Sequence, residues 1–244
     1  MRKKEIYLNH IVSFRIVSVI RGKKRQIDLL GVVFTGGQGP EAQIIKRILE
    51  IEIKNAQSKQ HTLFIAADSG LAAAQDAGIK PDWIIGDMDS IDQRRLALCP
   101  PERVIRHPRD KDFTDTELAF NLAAEKNCDI IWIIGGGGGR IDHLFGIRSM
   151  FERENFPYRW ITAQEDIYCI NAETELCCTL QKSACVSVFP LGSGPWDAKS
   201  KGLKWPLAGV PWTRGFFGLS NVAVNGEFSV TAQKGRFMVI LPVE

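Results

Sequence analysis

From residue 28 to about 160, short apolar runs alternate with stretches whose apolar residues recur at helical spacing. The runs 29–35, 62–67, 83–85 and 130–134 predict buried strands. Helices are expected over 41–54, 70–77, 114–126 and 141–154, the first after the turn Gly36-Gly37-Gln38-Gly39-Pro40. Ser69 is placed to cap the second helix, and Gly78 to end it in a left-handed conformation. Apolar strands interleaved with helices imply a parallel sheet covered on both faces. After about Ile167 the helical periods stop. The runs 184–189, 221–224, 228–232 and 236–241 predict strands, and Asn225-Gly226 carries a hairpin signal. The expectation is an α/β domain with an open, Rossmann-like parallel sheet over 29–164, followed by a smaller all-β domain over 165–244.

Within the segment 1–28, the first 25 residues hold eight lysines and arginines against a single Glu5. The run 8–20 is broken by Asn9, His10 and Arg15, too short for a membrane span, and has no small-residue cleavage site. A flexible basic extension or an extra strand is expected there. Over the whole chain the net charge is +3, too small to argue for nucleic acid or a membrane surface as a partner. None of the six cysteines forms a C-x-x-C pair or another zinc spacing, so buried reduced thiols and a cytosolic setting are expected.

In open parallel sheets ligands bind beyond the carboxyl ends of the strands, and the chemistry-bearing residues fall there. Asp68 ends one predicted strand, and Gly86-Asp87-Met88-Asp89-Ser90 follows another. Lys111-Asp112-Phe113-Thr114-Asp115 leads into a helix; Gly135 to Gly139, then Arg140, Asp142 and His143, follow a third strand. So many carboxylates repel one another unless a cation sits among them, and Mg²⁺, which binds through one or two carboxylates plus substrate phosphates, suits such loops. Asp87 and Asp89, two apart, can both reach one ion, or one of them through water.

Thr114-Asp115-Thr116-Glu117 fits a capping box, which explains Thr114 and Glu117 without a ligand. Lys111 is then free to neutralise phosphate while Asp112 or Asp115 holds metal. The glycine run can bring backbone N–H groups close to anionic oxygens, with Arg140 adding a planar fork of donors. Asp142 fits a helix start equally well, and His143 a surface position. A Walker motif is missing, whereas Gly37-Gln38-Gly39-Pro40-Glu41-Ala42 matches the looser G-x-G-x-x-A dinucleotide pattern.

These motifs in this order, with Pro81-Asp82 ahead of Gly86-Asp87, Gly138-Gly139-Arg140-Ile141-Asp142-His143, Gly218-Leu219-Ser220-Asn221 and the terminal run 235–241, closely resemble the thiamine pyrophosphokinase family. The resemblance covers about residues 30 to 243. It implies an α/β catalytic domain followed by a β-sandwich that helps bind thiamine, in a homodimer with active sites between subunits. It further implies Asp87, Asp89 and Asp112 as Mg²⁺ ligands, with Asp68 and Asp115 near the cluster. Lys111 and Arg140 would meet nucleotide phosphates, with Gly138, Gly139 and His143 beside them, and Gly36 and Gly37 would border the nucleotide. Ser220 and Asn221 would face thiamine, and Trp205 or Trp212 could stack on it.

The implied reaction is attack of the thiamine hydroxyl on the β-phosphorus of ATP with AMP leaving, Asp68 or Asp142 accepting or orienting the proton. Three other readings rank below it. They are an NAD-dependent oxidoreductase using the G-x-G-x-x-A turn, a non-catalytic thiamine-binding module, and a plain interaction protein.

Overall fold

The computed structural model describes residues 15–17, 28–55 and 61–243. Of the basic N-terminal segment, only the strand β1 (Arg15–Val17) lies within them. The first half of the chain runs β2 (Leu29–Phe34), α1 (Ala42–Asn55), β3 (His61–Ala67), α2 (Gly70–Asp76), β4 (Trp83–Gly86), α3 (Gln93–Leu96), β5 (Val104–Arg106), α4 (Asp115–Glu125), β6 (Ile130–Ile134), α5 (Ile141–Met150) and β7 (Arg159–Ile161). The second half adds β8 (Glu165–Ile170), β9 (Thr174–Thr179), β10 (Cys185–Leu191), β11 (Asp197–Lys201), β12 (Gly218–Val222), β13 (Glu227–Lys234) and β14 (Arg236–Pro242).

One ten-stranded sheet spans both halves in the order β12-β10-β14-β8-β7-β6-β2-β3-β4-β5. The pairs from β7 to β5 are parallel, and those from β7 outward through β8, β14 and β10 to β12 are antiparallel. Alternation along each strand sends side chains to two separate cores. Val32, Trp132 and Ile161 pack under Ile45, Ile48 and Leu49 of α1 and Ala74 of α2. Val33, Ile133 and Trp160 meet Ala119, Phe120 and Ala123 of α4 and Ile147 and Met150 of α5. Both faces of the parallel half are therefore covered, as the interleaved pattern predicts.

A second, four-stranded sheet, β1-β9-β13-β11, packs on the antiparallel half and completes a sandwich. Leu176, Cys178, Phe228 and Val230 face Val186, Val188, Phe237 and Val239 across it. From β8 to β14 successive strands alternate between the two sheets, so every connection crosses the sandwich. The Asn225-Gly226 hairpin expectation fails for this reason. Gly226 N–H does close a turn onto Ala223 O at 3.4 Å, but β12 pairs with β10 while β13 pairs with β9 and β11.

A buried ion pair marks where the parallel half joins the sandwich. Arg159 donates to Asp166 through Nε at 2.7 Å and Nη2 at 2.6 Å, and Tyr168 donates its hydroxyl to Asp166 at 2.8 Å. The guanidinium lies over the rings of Trp132 and Tyr168. Charge buried among aromatic faces is tolerated only with such pairing.

Two local expectations need correction. The Ser69 side chain makes no cap hydrogen bond, because the residue is already helical, with φ −60° and ψ −12°. Gly78 does end that helix at φ +72°, with Gly78 N–H on Gln75 O and Ile79 N–H on Ala74 O, a Schellman closure. The thiols are free but not uniformly buried. Cys169 and Cys178 are inside, Cys99, Cys128 and Cys177 half-buried, and Cys185 exposed. Burial pushes the Cys128 thiol up to about 11 and the Cys169 thiol up to about 12, which makes both poor nucleophiles.

Candidate active site

Five of the sequence-derived candidates converge beyond the ends of β3 and β4. Asp68 follows β3 in a left-handed conformation, φ 45°, held by its N–H on Ile85 O at 2.9 Å and by Leu71 N–H on its carbonyl at 3.1 Å. The residue is only 8% exposed, and its Oδ1 has no hydrogen-bond partner. Its Oδ2 accepts the hydroxyl of Ser90.

Asp87 and Asp89 come from the turn after β4. One carboxylate oxygen from each of Asp68, Asp87 and Asp89 lies within 4.8 Å of the others. Asp87 Oδ1 accepts the Asp89 N–H at 3.0 Å, and this bond foremost, with Lys111 beside it, holds the Asp87 carboxyl below the usual aspartate range. Asp89, close enough to share a proton with the Asp87 carboxylate, is pushed the other way. Exposed Arg109, at 3.7 Å from Asp89, opposes that rise. Opposite shifts within one turn are what like charges at close range produce.

Lys111 closes the cluster. Its Nζ lies 3.1 Å from Asp115 Oδ1 and 3.5 Å from Asp87 Oδ2. Burial works against its charge, but the two carboxylates more than offset that and raise its pKa. Asp115 opens α4, whose start is fixed by the expected capping box. Thr114 Oγ1 accepts the Glu117 N–H at 3.2 Å, and Glu117 Oε2 accepts the Thr114 N–H at 2.9 Å. Glu117 also takes Arg153, so this first turn is tied to the chain beyond α5. Asp112 stays exposed in the loop and outside the carboxylate trio.

At the switch point between β2 and β6 the two glycine-rich turns pack on each other. Gln38 and Gly137 exchange N–H bonds at 2.6 and 3.0 Å, and Gly136 N–H reaches Gly36 O at 2.7 Å. A Cβ at Gly135 would lie 2.3 Å from Thr35 O, and one at Gly136 would lie 2.4 Å from Ile147 Cδ1. The first part of the glycine run is thus demanded by close packing between loops, and its N–H groups are already used. Gly138 and Gly139 are left beyond that contact. Arg140 turns to Asp142, donating through Nε at 3.1 Å and Nη2 at 2.5 Å, which holds Asp142 below the usual range. His143 is exposed.

The sandwich residues divide into a support and a surface. Asn221 is 4% exposed and spends its amide on the backbone of Trp205, accepting its N–H at 3.1 Å and donating to its carbonyl at 2.6 Å. Trp205 itself is 53% exposed, with Lys204 over its ring. Ser220 is exposed and left-handed at φ 55°. Trp212 is half-buried and packs against the sandwich core, edge-on to Phe237 and donating its indole N–H to Leu207 O.

Several contributors lie outside the sequence-derived set. Gln93 donates its amide to Met88 O and Ile91 O at 3.2 Å each, clamping the turn that carries Asp87 and Asp89. Thr35 and Thr116 join hydroxyls at 2.6 Å between the first glycine turn and α4. A glutamine five residues beyond Met88 was legible as a polar residue near the motif, but its partner atoms were not.

Comparison with known proteins bears on the family and the fold. Residues 55–158 match the family profile described as thiamin pyrophosphokinase, catalytic domain. Thiamine pyrophosphokinase of Bacillus subtilis (strain 168) is 31% identical over 188 residues, 74% of this chain and 87% of the relative. The crystal structure of the Bacillus subtilis protein superposes with a TM-score of 0.65 at 25% identity, covering 88% of this chain and 99% of that one. Thiamin pyrophosphokinase from Candida albicans shares the fold with a TM-score of 0.60 at 14% identity, over 97% of this chain and 100% of that one. Fold, strand-end chemistry and a relative matched along most of both chains lead to one conclusion: this chain belongs to the thiamine pyrophosphokinase family.

Proposed function

We propose that this enzyme transfers the diphosphoryl group of ATP to the hydroxyl of thiamine in the presence of Mg²⁺, giving thiamine diphosphate and AMP. The observation that carries the reading is the convergence of Asp68, Asp87, Asp89, Asp115 and Lys111 beyond β3 and β4. The donor set suits a hard cation, since all the available groups are carboxylate oxygens and the buried Oδ1 of Asp68 lacks any partner. Asp68, Asp87 and Asp89 would hold Mg²⁺, with Asp112 reaching in from its loop. A cation bound there neutralises phosphate charge as it builds toward the transition state.

The chain's own residues supply the rest. Lys111 offers a positive charge at the mouth of the cluster, and Arg140, oriented by Asp142, offers donors to phosphate next to the N–H groups of Gly138 and Gly139. His143 and the Gly36-Gly37 turn border the same space. Because Arg140 holds Asp142 in its ionised form, Asp142 suits orienting that guanidinium better than accepting a proton, and Asp68 is the better candidate for aligning the thiamine hydroxyl. Trp205, placed by Asn221 and flanked by Ser220, gives thiamine an aromatic face.

A homodimer with sites between subunits is part of the proposal. It is supported by exposed apolar side chains one turn apart on α5, Ile141 and Phe145, and by Phe216, Phe217 and Leu219 at β12. The domain division at 164/165 and a cytosolic setting belong to the same reading. No helix among the described residues is long and apolar enough to cross a membrane.

The test is Asp87→Asn and Asp89→Asn, each assayed for thiamine diphosphate and AMP. A loss of about 10²–10³-fold in kcat/KM with an unchanged melting temperature is expected. Near-normal turnover in both variants contradicts the site.

A further inference from the structure

We propose that Ser90 is a positioning residue, whose hydroxyl holds Asp68 in the cation-binding constellation. The inference rests on the metal reading given above and adds a residue to it.

Asp68 is a carboxylate with room for about four hydrogen bonds, yet among the described residues its donors reduce to the hydroxyl of Ser90. Its backbone is fixed at both the N–H and the carbonyl, but among the described residues no other side-chain hydrogen bond orients the carboxylate. Two further carboxylates have oxygens within 4.8 Å. Repulsion from them favours turning the Asp68 carboxylate away, which removes a ligand oxygen.

Ser90 is well placed to oppose this. It sits between Met88 and Ile91, which are 3% and 6% exposed and pack in one apolar cluster with Leu71 of α2 and Leu96 of α3. The Gln93 amide bonds the carbonyls of both Met88 and Ile91. The turn that carries Asp87 and Asp89 therefore presents the Ser90 hydroxyl from a fixed position, and the bond to Asp68 joins the end of β3 to the loop after β4. One hydroxyl sets the third carboxylate relative to the other two. Groups that orient metal ligands in this way commonly change metal affinity by about 10–100-fold when removed.

The test is titration of the full chain with Mn²⁺, free of nucleotide, followed by electron paramagnetic resonance, for wild type, Ser90→Ala and Ser90→Thr. Activity is measured in parallel as a function of Mg²⁺ concentration. Ser90→Ala is expected to weaken Mn²⁺ binding about 10–100-fold and to raise the Mg²⁺ needed for half-maximal activity. Saturating Mg²⁺ should restore most of kcat, with a melting temperature close to wild type. Ser90→Thr, which keeps the hydroxyl, should bind Mn²⁺ nearly as wild type does. Wild-type affinity in Ser90→Ala, or failure of Ser90→Thr to recover, overturns the role of Ser90 and leaves the metal reading standing. Wild type that takes up no Mn²⁺ overturns the metal reading itself and the role of Ser90 with it.

Discussion

Asp166→Asn would strip the charge from one half of the buried pair that lies where the parallel sheet meets the sandwich. Arg159 and Asp166 have side chains 1% and 5% exposed, so the guanidinium left behind has no access to water. With the Asn oxygen in the Oδ2 position, the Nε bond at 2.7 Å is lost against the amide NH2, the Nη2 bond at 2.6 Å loses its charge assistance, and the bond from Tyr168 persists. Breaking one side of a buried pair costs about 3–5 kcal/mol. At about 2–4 °C per kcal/mol for a chain of this size, the melting temperature should fall by roughly 6–20 °C. Arg159→Met combined with Asp166→Asn removes the remaining buried charge and keeps an apolar stem between Trp132 and Tyr168. The double variant should therefore be more stable than Asp166→Asn alone. Urea and thermal unfolding of the three proteins measure both quantities. A cost under about 1 kcal/mol for Asp166→Asn, or a double variant no better than the single, would refute the reasoning.

Three further outcomes are expected. The Glu117 carboxyl is partly buried, which opposes ionisation, but Arg153 and the Thr114 cap hold it below its ordinary value of 4.5. The stability it adds is present above that value and lost as pH falls through its folded pKa, so the gap between wild type and Glu117→Gln, about 1 kcal/mol or less at neutral pH, should close in acid; a gap that widens contradicts the sign. Gly135→Ala meets Thr35 O at φ +103°, whereas Gly139→Ala at φ +66° meets open space. Calorimetry should show the second losing about 1–2 kcal/mol and the first distinctly more. Trp205→Ala should raise the KM for thiamine with little change in melting temperature. Asn221→Ala should raise that KM and also cost about 1–3 kcal/mol, and unchanged KM values in both would remove Trp205 from the thiamine site.

What the sequence disclosed follows from where the determining interactions lie. The strands β2, β3, β4 and β6 are buried on both faces, so each reads as a continuous apolar run and was located to within a residue or so. The capping box of α4 is a local pattern and was equally legible. The strand β11 reads Asp-Ala-Lys-Ser-Lys and turns only Ala198 into the core, so no run announces it. β9 was missed for the same reason, with Leu176 and Cys178 alone facing inward. The predicted helix 141–154 overreached, since α5 stops at Met150 and the chain turns to bring Arg153 to Glu117 and its carbonyl to Arg236.

The motif residues around Asp68, Asp87, Asp89 and Lys111 were legible because strand ends gather them. Their partners were less so. That Ser90 bonds Asp68, that Asn221 serves the backbone of Trp205 and that Arg140 faces Asp142 depend on side-chain directions that spacing does not carry. The sharing of one sheet by both halves of the chain depends on pairing across long sequence separations, as between β8 and β14.

The central claim is tested most directly by chromatography of a reaction containing the purified protein, thiamine, ATP and Mg²⁺, beside an identical sample with EDTA. Thiamine diphosphate and AMP should appear in equal amounts, and only where the cation is free. ADP with thiamine monophosphate would contradict the phosphorus assigned to attack, and no product at all would contradict the proposed transfer.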